Sequence, residues 1–298
     1  MAYHIPALLS ESIDGLKIQP EGIYVDVTFG GGGHSMEILK HLTTGKLIAF
    51  DQDEDAGLNI PSDEKFIFLN QNFRFLKNNL KFNNFNSIDG LIADLGVSFH
   101  QFDEAERGFT FRQDAPLDMR MNRNGSVTAA WLLNTLDESL LADVFYKYGE
   151  LTNSRRIARE IVAARDTSPF STVNDIFNSI GKLAPFRQEH KFYAKLFQAL
   201  RIEVNHEIEY LGEMLEQALS LLKSGGRLVV ISYHSLEDRI VKNFMKTGNI
   251  AGEEKKDFYG NVETPFRIIN RKGTTPGDEE IAVNNRARSA RLRIAEKI

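Results

Sequence analysis

Apolar positions in the first third of the chain fall into short runs of strand character separated by runs with helical spacing. "GIYVDVTF" (from Gly22), "GKLIAFDQD" (from Gly45), "KFIFLNQNF" (from Lys65) and "IDGLIADLGVS" (from Ile88) each carry a compact apolar block bounded by Gly, Asn or Asp. These predict four strands. Between the first two, "HSMEILKHL" places Ile38, Leu39 and Leu42 at helical spacing, and "EDAGLNI" after the second is a poor helix. Strands alternating with helices imply a parallel sheet with crossover connections.

From about Arg107 the pattern changes. "RGFTFRQDAPLDMRMNRNG" has no period and is rich in arginine and methionine, as a functional loop would be. Three helical stretches follow, "TAAWLLNTLDESLLADVFYKYG", "NSRRIAREIVAARD" and "STVNDIFNSIGKLA", with Asn153, Ser154 and Ser171 at favoured N-cap positions. A single long helix is then expected, with Leu196, Leu200, Val204, Leu211, Leu215 and Leu222 on one stripe. "KSGGRLVVISYHS" is a further strand, and "SLEDRIVKNFMK" a helix with Ser235 as N-cap and Asp238 at its third position. "TPFRIINR" and "RSARLRIAEK" are two last short strands. The expected fold class is therefore α/β: a Rossmann-like core with a mostly parallel sheet, interrupted by an all-helical insertion. The expected boundaries are residues 1–106 and 214–298 for the core and 107–213 for the insertion.

Composition narrows the function. The 298 residues are 42% hydrophobic and 26% charged, as in ordinary globular proteins. No apolar run approaches a membrane span, and the start lacks the marks of a secretory signal, so a cytoplasmic location is expected. The chain has no cysteine, which removes disulfides, thiolate metal sites, cysteine-held clusters and cysteine nucleophiles together. Methylation at C5 of cytosine by a thiolate route is excluded with them.

The sharpest motif is Gly30-Gly31-Gly32-Gly33-His34 between the first strand and its helix. Glycines there permit positive φ and close backbone approach at the sheet edge where nucleotides bind. A phosphate-binding loop needs Lys and Ser/Thr after its last glycine, but His34 and Ser35 follow here. A dinucleotide fingerprint starting at Gly30 meets Ser35 at its sixth position, which weakens the NAD reading. Asp51 ends the second strand, where a carboxylate commonly receives ribose hydroxyls. Asp26 adds a second acid beside the turn, which favours a cationic sulfonium ligand over a pyrophosphate. S-adenosylmethionine fits this pattern best.

The fourth strand ends in Asp94, followed by Ser98, His100 and Gln101. Together "DVTFGGGGHS", "FDQD", "DLGVSFHQFDEAERGFTF", "APLDMRM", "YHSLEDRIVK" and "NNRARSARLRIAEK" resemble the bacterial small-subunit (16S) ribosomal RNA methyltransferases that make N4-methylcytidine. The matches run in order from Tyr3 to the end of the chain. The resemblance implies a class I methyltransferase core with an inserted helical domain. It also implies methyl transfer from S-adenosylmethionine to the exocyclic amine of a cytidine in the decoding region of the small ribosomal subunit. Its cofactor positions fall on Gly32, Gly33, His34, Asp51, Phe73, Asp94 and Gln101. In one place the sequence departs from that family, with Phe99 and His100 where a second serine and a proline are common.

An exocyclic amine attacks a methyl group directly if its N–H is held by an acceptor and its geometry is fixed. Asp94 and Ser98 are the candidate catalytic residues. His34, His100 and His234 all follow strand ends, but their spacing matches no metal signature, so no metal is expected. Net charge is −5, yet basic residues cluster: Arg155, Arg156, Arg159 and Arg165 in the insertion, and eight Lys/Arg against five Asp/Glu from Val262 onward. Such patches suit RNA phosphates. Two rival readings remain on the residues alone, a small-molecule methyltransferase and an RNA-binding assembly module.

Overall fold

The computed structural model of the chain describes residues 6–260 and 262–298. Two compact units form, one from Met1–Gly96 with Ile208–Ile298, the other from Val97–Glu207. The helical unit thus begins closer to the end of the fourth strand than the arginine-rich loop suggests. It ends at a break inside the apolar stripe.

The first unit is built on a seven-stranded sheet. Its strands are β1 (Ile23–Asp26), β2 (Lys46–Phe50), β3 (Phe66–Leu69), β4 (Ile88–Asp94), β5 (Leu222–Ser232), β6 (Phe266–Ile268) and β7 (Arg291–Lys297), in the order β3-β2-β1-β4-β5-β7-β6. β1 through β5 run parallel, and β7 lies antiparallel to both of its neighbours. A mostly parallel sheet carrying helices is the α/β, Rossmann-like core expected from the sequence.

Both sheet faces are covered, so the strands are apolar on both sides. Val25, Ile48, Leu91, Leu228 and Val230 join Met214, Leu215 and Phe244 in one buried cluster. The alternating neighbours Tyr24, Leu47, Ile92, Val229 and Ile231 join Leu16, Ile38 and Leu39 in another. The first cluster takes helix residues from α3 (Leu76–Phe82), α10 (Glu207–Leu221) and α11 (Ser235–Thr247), the second from α1 (Leu9–Leu16) and α2 (Gly33–His41). A period of two in the strands thus feeds two helical layers.

The helical unit runs from α4 (Phe99–Asp103) through α5 (Ala129–Thr135), α6 (Glu138–Lys147), α7 (Ser154–Arg165) and α8 (Val173–Ile180) to α9 (Glu189–Asn205). It has its own core around Leu133, Phe145, Ile157, Ile176, Leu196 and Leu200. The arginine-rich loop is docked on it: Leu117, Met119 and Met121 are buried, and the Asn205 side chain bonds the Met121 N–H and the Met119 carbonyl.

Three local expectations are corrected. The long helix is two helices, because His206 adopts φ 51 and closes α9 in the left-handed region, and Leu222 already opens β5. The α11 cap is His234 rather than Ser235, since the His234 ring accepts from the Glu237 N–H. The α8 cap is Thr172 rather than Ser171, in a reciprocal box with Asp175. The "EDAGLNI" run forms a six-residue 3₁₀ turn, Glu54–Asn59.

Candidate functional site at the strand ends

The glycine turn connects β1 to α2 in two steps that only glycine takes cheaply. Gly30 has φ 50 and Gly32 φ 78. The other two glycines have different reasons. A Cβ on Gly33 would lie 2.6 Å from the Pro6 ring, so the chain's own N-terminal segment occupies that space. A Cβ on Gly31 would meet nothing within 4 Å, which leaves its backbone open to a ligand. Asp51, at the end of β2, is tied to this turn. Its Oδ2 accepts from the Gly30 N–H at 2.7 Å and its Oδ1 from the Asp53 N–H at 2.8 Å. Burial pushes the Asp51 carboxyl up to about 6 against those two hydrogen bonds.

Asp26 does not face a ligand. It is buried, with Oδ2 accepting from Ser35 Oγ at 2.7 Å and Oδ1 from the Thr28 N–H at 3.0 Å. It organises the turn from inside, and burial raises its pKa. Thr28 passes the link onward, because its hydroxyl accepts from the Asp94 N–H at 2.6 Å.

Asp94 closes β4 at the centre of this network. Its Oδ1 accepts from the Tyr233 hydroxyl at 2.8 Å, and its Oδ2 lies 3.8 Å from His34 Nδ1. Burial raises its carboxyl to about 7, with the charges of Asp26 and Glu237 adding to the effect and the Tyr233 hydrogen bond opposing it. His34 is buried and lowered to about 4. Its Nε2 sits 3.2 Å from the Ala7 carbonyl, which can only accept. The ring proton therefore belongs on Nε2, and the bare Nδ1 faces Asp94.

Tyr233 is a candidate site residue that sequence reasoning passed over. Its backbone N–H donates to Glu237 Oε2 at 2.9 Å, and Glu237 Oε1 lies 3.1 Å from His234 Nε2. Burial and the adjacent Asp94 carboxylate hold the Tyr233 hydroxyl firmly protonated. The available signal was its place beside His234 just past β5, in a motif read only for its histidine and its cap.

The remaining expected residues are placed as follows. Gly32, Gly33, His34 and Asp94 come together at the ends of β1 and β4, with Asp51 on the adjacent β2. Phe73 lies in a short turn after β3, half-buried against the core, and Asn72 beside it bonds Gln52 at 2.6 Å. Ser98 and Gln101 belong to the helical unit and hold each other. The Ser98 N–H donates to Gln101 Oε1 at 3.0 Å, and Ser98 Oγ accepts from the Gln101 N–H at 3.2 Å. The Ser98 hydroxyl thus serves as a helix cap. The side chains of Phe99 and His100, and Tyr3, lie outside the described residues.

Several arginines have structural duties. Arg165 donates to the Leu133 and Leu136 carbonyls at the end of α5, Arg120 is bidentate with Asp118, and buried Arg293 is bidentate with Asp238. Arg159 stands 3.7 Å from Glu138. Arg286 and Arg288 are exposed.

The donor set suits S-adenosylmethionine. An open backbone at Gly31, a carboxylate on β2 for ribose, and a carboxyl at the end of β4 for a cationic group lie at adjacent strand ends.

Comparison with known proteins places this arrangement. The model of the family described as MraW methylase matches residues 1–298. The chain is 57% identical over 296 residues to ribosomal RNA small subunit methyltransferase H of Phocaeicola vulgatus, covering 99% of this chain and 97% of that protein. To the protein of the same name in Bacteroides thetaiotaomicron it is 55% identical over 298 residues, covering 100% and 98%. For that of Flavobacterium johnsoniae the identity is 54% over 299 residues, covering 100% and 99%.

Proposed function

The chain belongs to the MraW methylase family, and from that premise we propose that it methylates the N4 amine of a cytidine in the decoding region of small-subunit ribosomal RNA. Methylation of small-subunit rRNA is the activity named for its relatives at 54–57% identity. S-adenosylmethionine is the methyl donor. The observation that carries the choice of atom is the Asp94 carboxyl: partly buried, closing β4, held at one oxygen by Tyr233 and raised to about 7. The absence of cysteine supports direct attack by an amine over a covalent route through the pyrimidine ring.

Gly31, Gly32 and Asp51 would hold the donor's amino-acid and ribose ends, with Phe73 against the adenine. When bound, S-adenosylmethionine would supply a methyl carbon on a positively charged sulfur, the carbon–sulfur bond breaking under in-line attack and a neutral thioether leaving. Asp94 accepts a hydrogen bond from the amine and takes the proton that the nitrogen sheds once its bond to carbon forms. A group near neutrality is well matched to that task at cellular pH. Ser98 fixes the loop that follows, through its cap on Gln101.

The test is methyl transfer from labelled S-adenosylmethionine to small subunits from a strain lacking this gene, followed by nucleoside analysis. Label in N4-methylcytidine is expected. Label in another nucleoside would overturn the assignment of the atom, and no label in the RNA would overturn the substrate.

A further inference from the structure

Most cations of the helical unit are matched within it, and a few are not. Lys182 is 2.8 Å from Glu160, Lys195 4.0 Å from Glu150, and Arg123 3.2 Å from Glu104. Arg112, Arg187 and Lys191 are exposed and have no carboxylate within 4.0 Å among the described residues. Arg187 lies in the loop between Leu183 and α9, whose tip is Phe186, 81% exposed, and Lys191 lies in the first turn of α9. The Arg187 guanidinium lies over the Phe186 ring, 5.2 Å from its centroid, and Arg187 itself takes φ 61. Arg112 follows Phe111, whose ring meets His190 of the same region at 5.1 Å. From Lys182 to Lys195 the chain carries four Lys/Arg (Lys182, Arg187, Lys191, Lys195) and one acid (Glu189), in a protein of net charge −5.

Aromatic rings pack together beside this loop. Tyr193 packs edge-on against Phe177 at 4.5 Å and Phe192 at 5.3 Å, and Phe111 lies 5.3 Å from Phe197. A large ring left in water beside unmatched cations is unfavourable for the protein alone. The partner that satisfies both features is a polyanion with flat apolar faces, which describes unpaired nucleic acid. A protein surface would need acids and an apolar pocket together, whereas RNA offers phosphate and base at every residue.

We infer that the loop at residues 184–188 and the first turn of α9 form a contact surface for an unpaired stretch of the RNA substrate. Phe186 stacks on a base, and Arg187, Lys191 and Arg112 face phosphates. This rests on the substrate assigned above and adds where that substrate is gripped.

The experiment uses the full chain. An unstructured RNA oligonucleotide is titrated and followed by fluorescence anisotropy across a salt series. In parallel, the KM for small subunits and the KM for S-adenosylmethionine are measured. Phe186→Ala, a change at an exposed ring, is expected to weaken RNA binding and raise the subunit KM about tenfold, within the range known for a lost base stack. The donor KM should not move, and Phe186→Trp should restore affinity where Phe186→Leu does not. The pair Arg187→Gln with Lys191→Gln should flatten the slope of log K against log salt by about 1.4, two phosphate contacts' worth on a single strand. Unchanged RNA affinity and slope in these variants would overturn the inference, as would a wild-type protein that binds no RNA. RNA binding that is sensitive to these substitutions but yields no methylated rRNA leaves the surface standing and removes the reaction.

Discussion

Burial sets the acidity of Asp94, and the same shift has a cost in stability whose sign is fixed. The folded carboxyl sits at about 7 against an ordinary 3.8, so the folded state holds this proton more tightly than the unfolded chain does. Its contribution to stability is fully present below about pH 4 and is lost as pH rises through about 7, amounting to at most about 4 kcal/mol. Asp94→Asn removes that dependence and keeps an acceptor for the Tyr233 hydroxyl. The melting temperature of the variant relative to wild type should therefore climb from pH 5 to pH 8, while methyl transfer falls by about a hundredfold or more. A difference that does not change with pH would count against a shifted Asp94. Tyr233→Phe tests the neighbouring contact. Losing a hydrogen bond that favours the charged carboxylate raises Asp94 further, so the acidic limb of the rate profile should move to higher pH and turnover at pH 7 should fall about tenfold. A change of turnover with the limb in place would make Tyr233 a packing residue only. Asp51 and Asp94 were legible in the sequence because a carboxylate at a strand end is a local signal. Tyr233 was not, since nothing local says that its hydroxyl reaches across to β4.

Among the elements, the turn between β1 and α2 separates two uses of glycine that the run of four letters cannot distinguish. Gly33→Ala drives a methyl into Pro6 and should destabilise the protein by about 1–3 kcal/mol in chemical denaturation. Gly31→Ala meets no atom of the chain, so its denaturation midpoint should match wild type while donor affinity, by calorimetric titration, drops at least about tenfold. Equal stability losses at both positions would remove the case for a ligand at Gly31. Strands and helices of the core were legible because their apolar periods agree with their burial. The break at His206 was hidden, because leucines on either side keep helical spacing through a residue whose φ no pattern of hydrophobicity reports. Two members of the arginine runs were hidden for a related reason: Arg165 and Arg293 look like phosphate ligands in sequence, yet each finds acceptors far along the chain.

At the scale of the molecule, each unit encloses its own buried clusters, the helical one around Phe145 and Leu200, the sheet one around the strands. Thermal unfolding should therefore depart from a single two-state transition, with calorimetric enthalpy exceeding the van't Hoff value. A ratio of one would mean that the two cores melt together. The insertion also imposes an order on synthesis. β4 pairs with β5 from Ile88↔Leu222 to Asp94↔Ile231, and the whole of Val97–Glu207 separates them in the chain. A nascent chain emerging from the ribosome shows β1 to β4 first, with the edge of β4 bare until the insertion has been translated. The helical unit, whose buried core is drawn from its own span, is free to fold in that interval. Its prompt collapse brings the ends of a long loop together, so the carboxyl that closes β4 acquires its tyrosine only after the helical unit has taken shape.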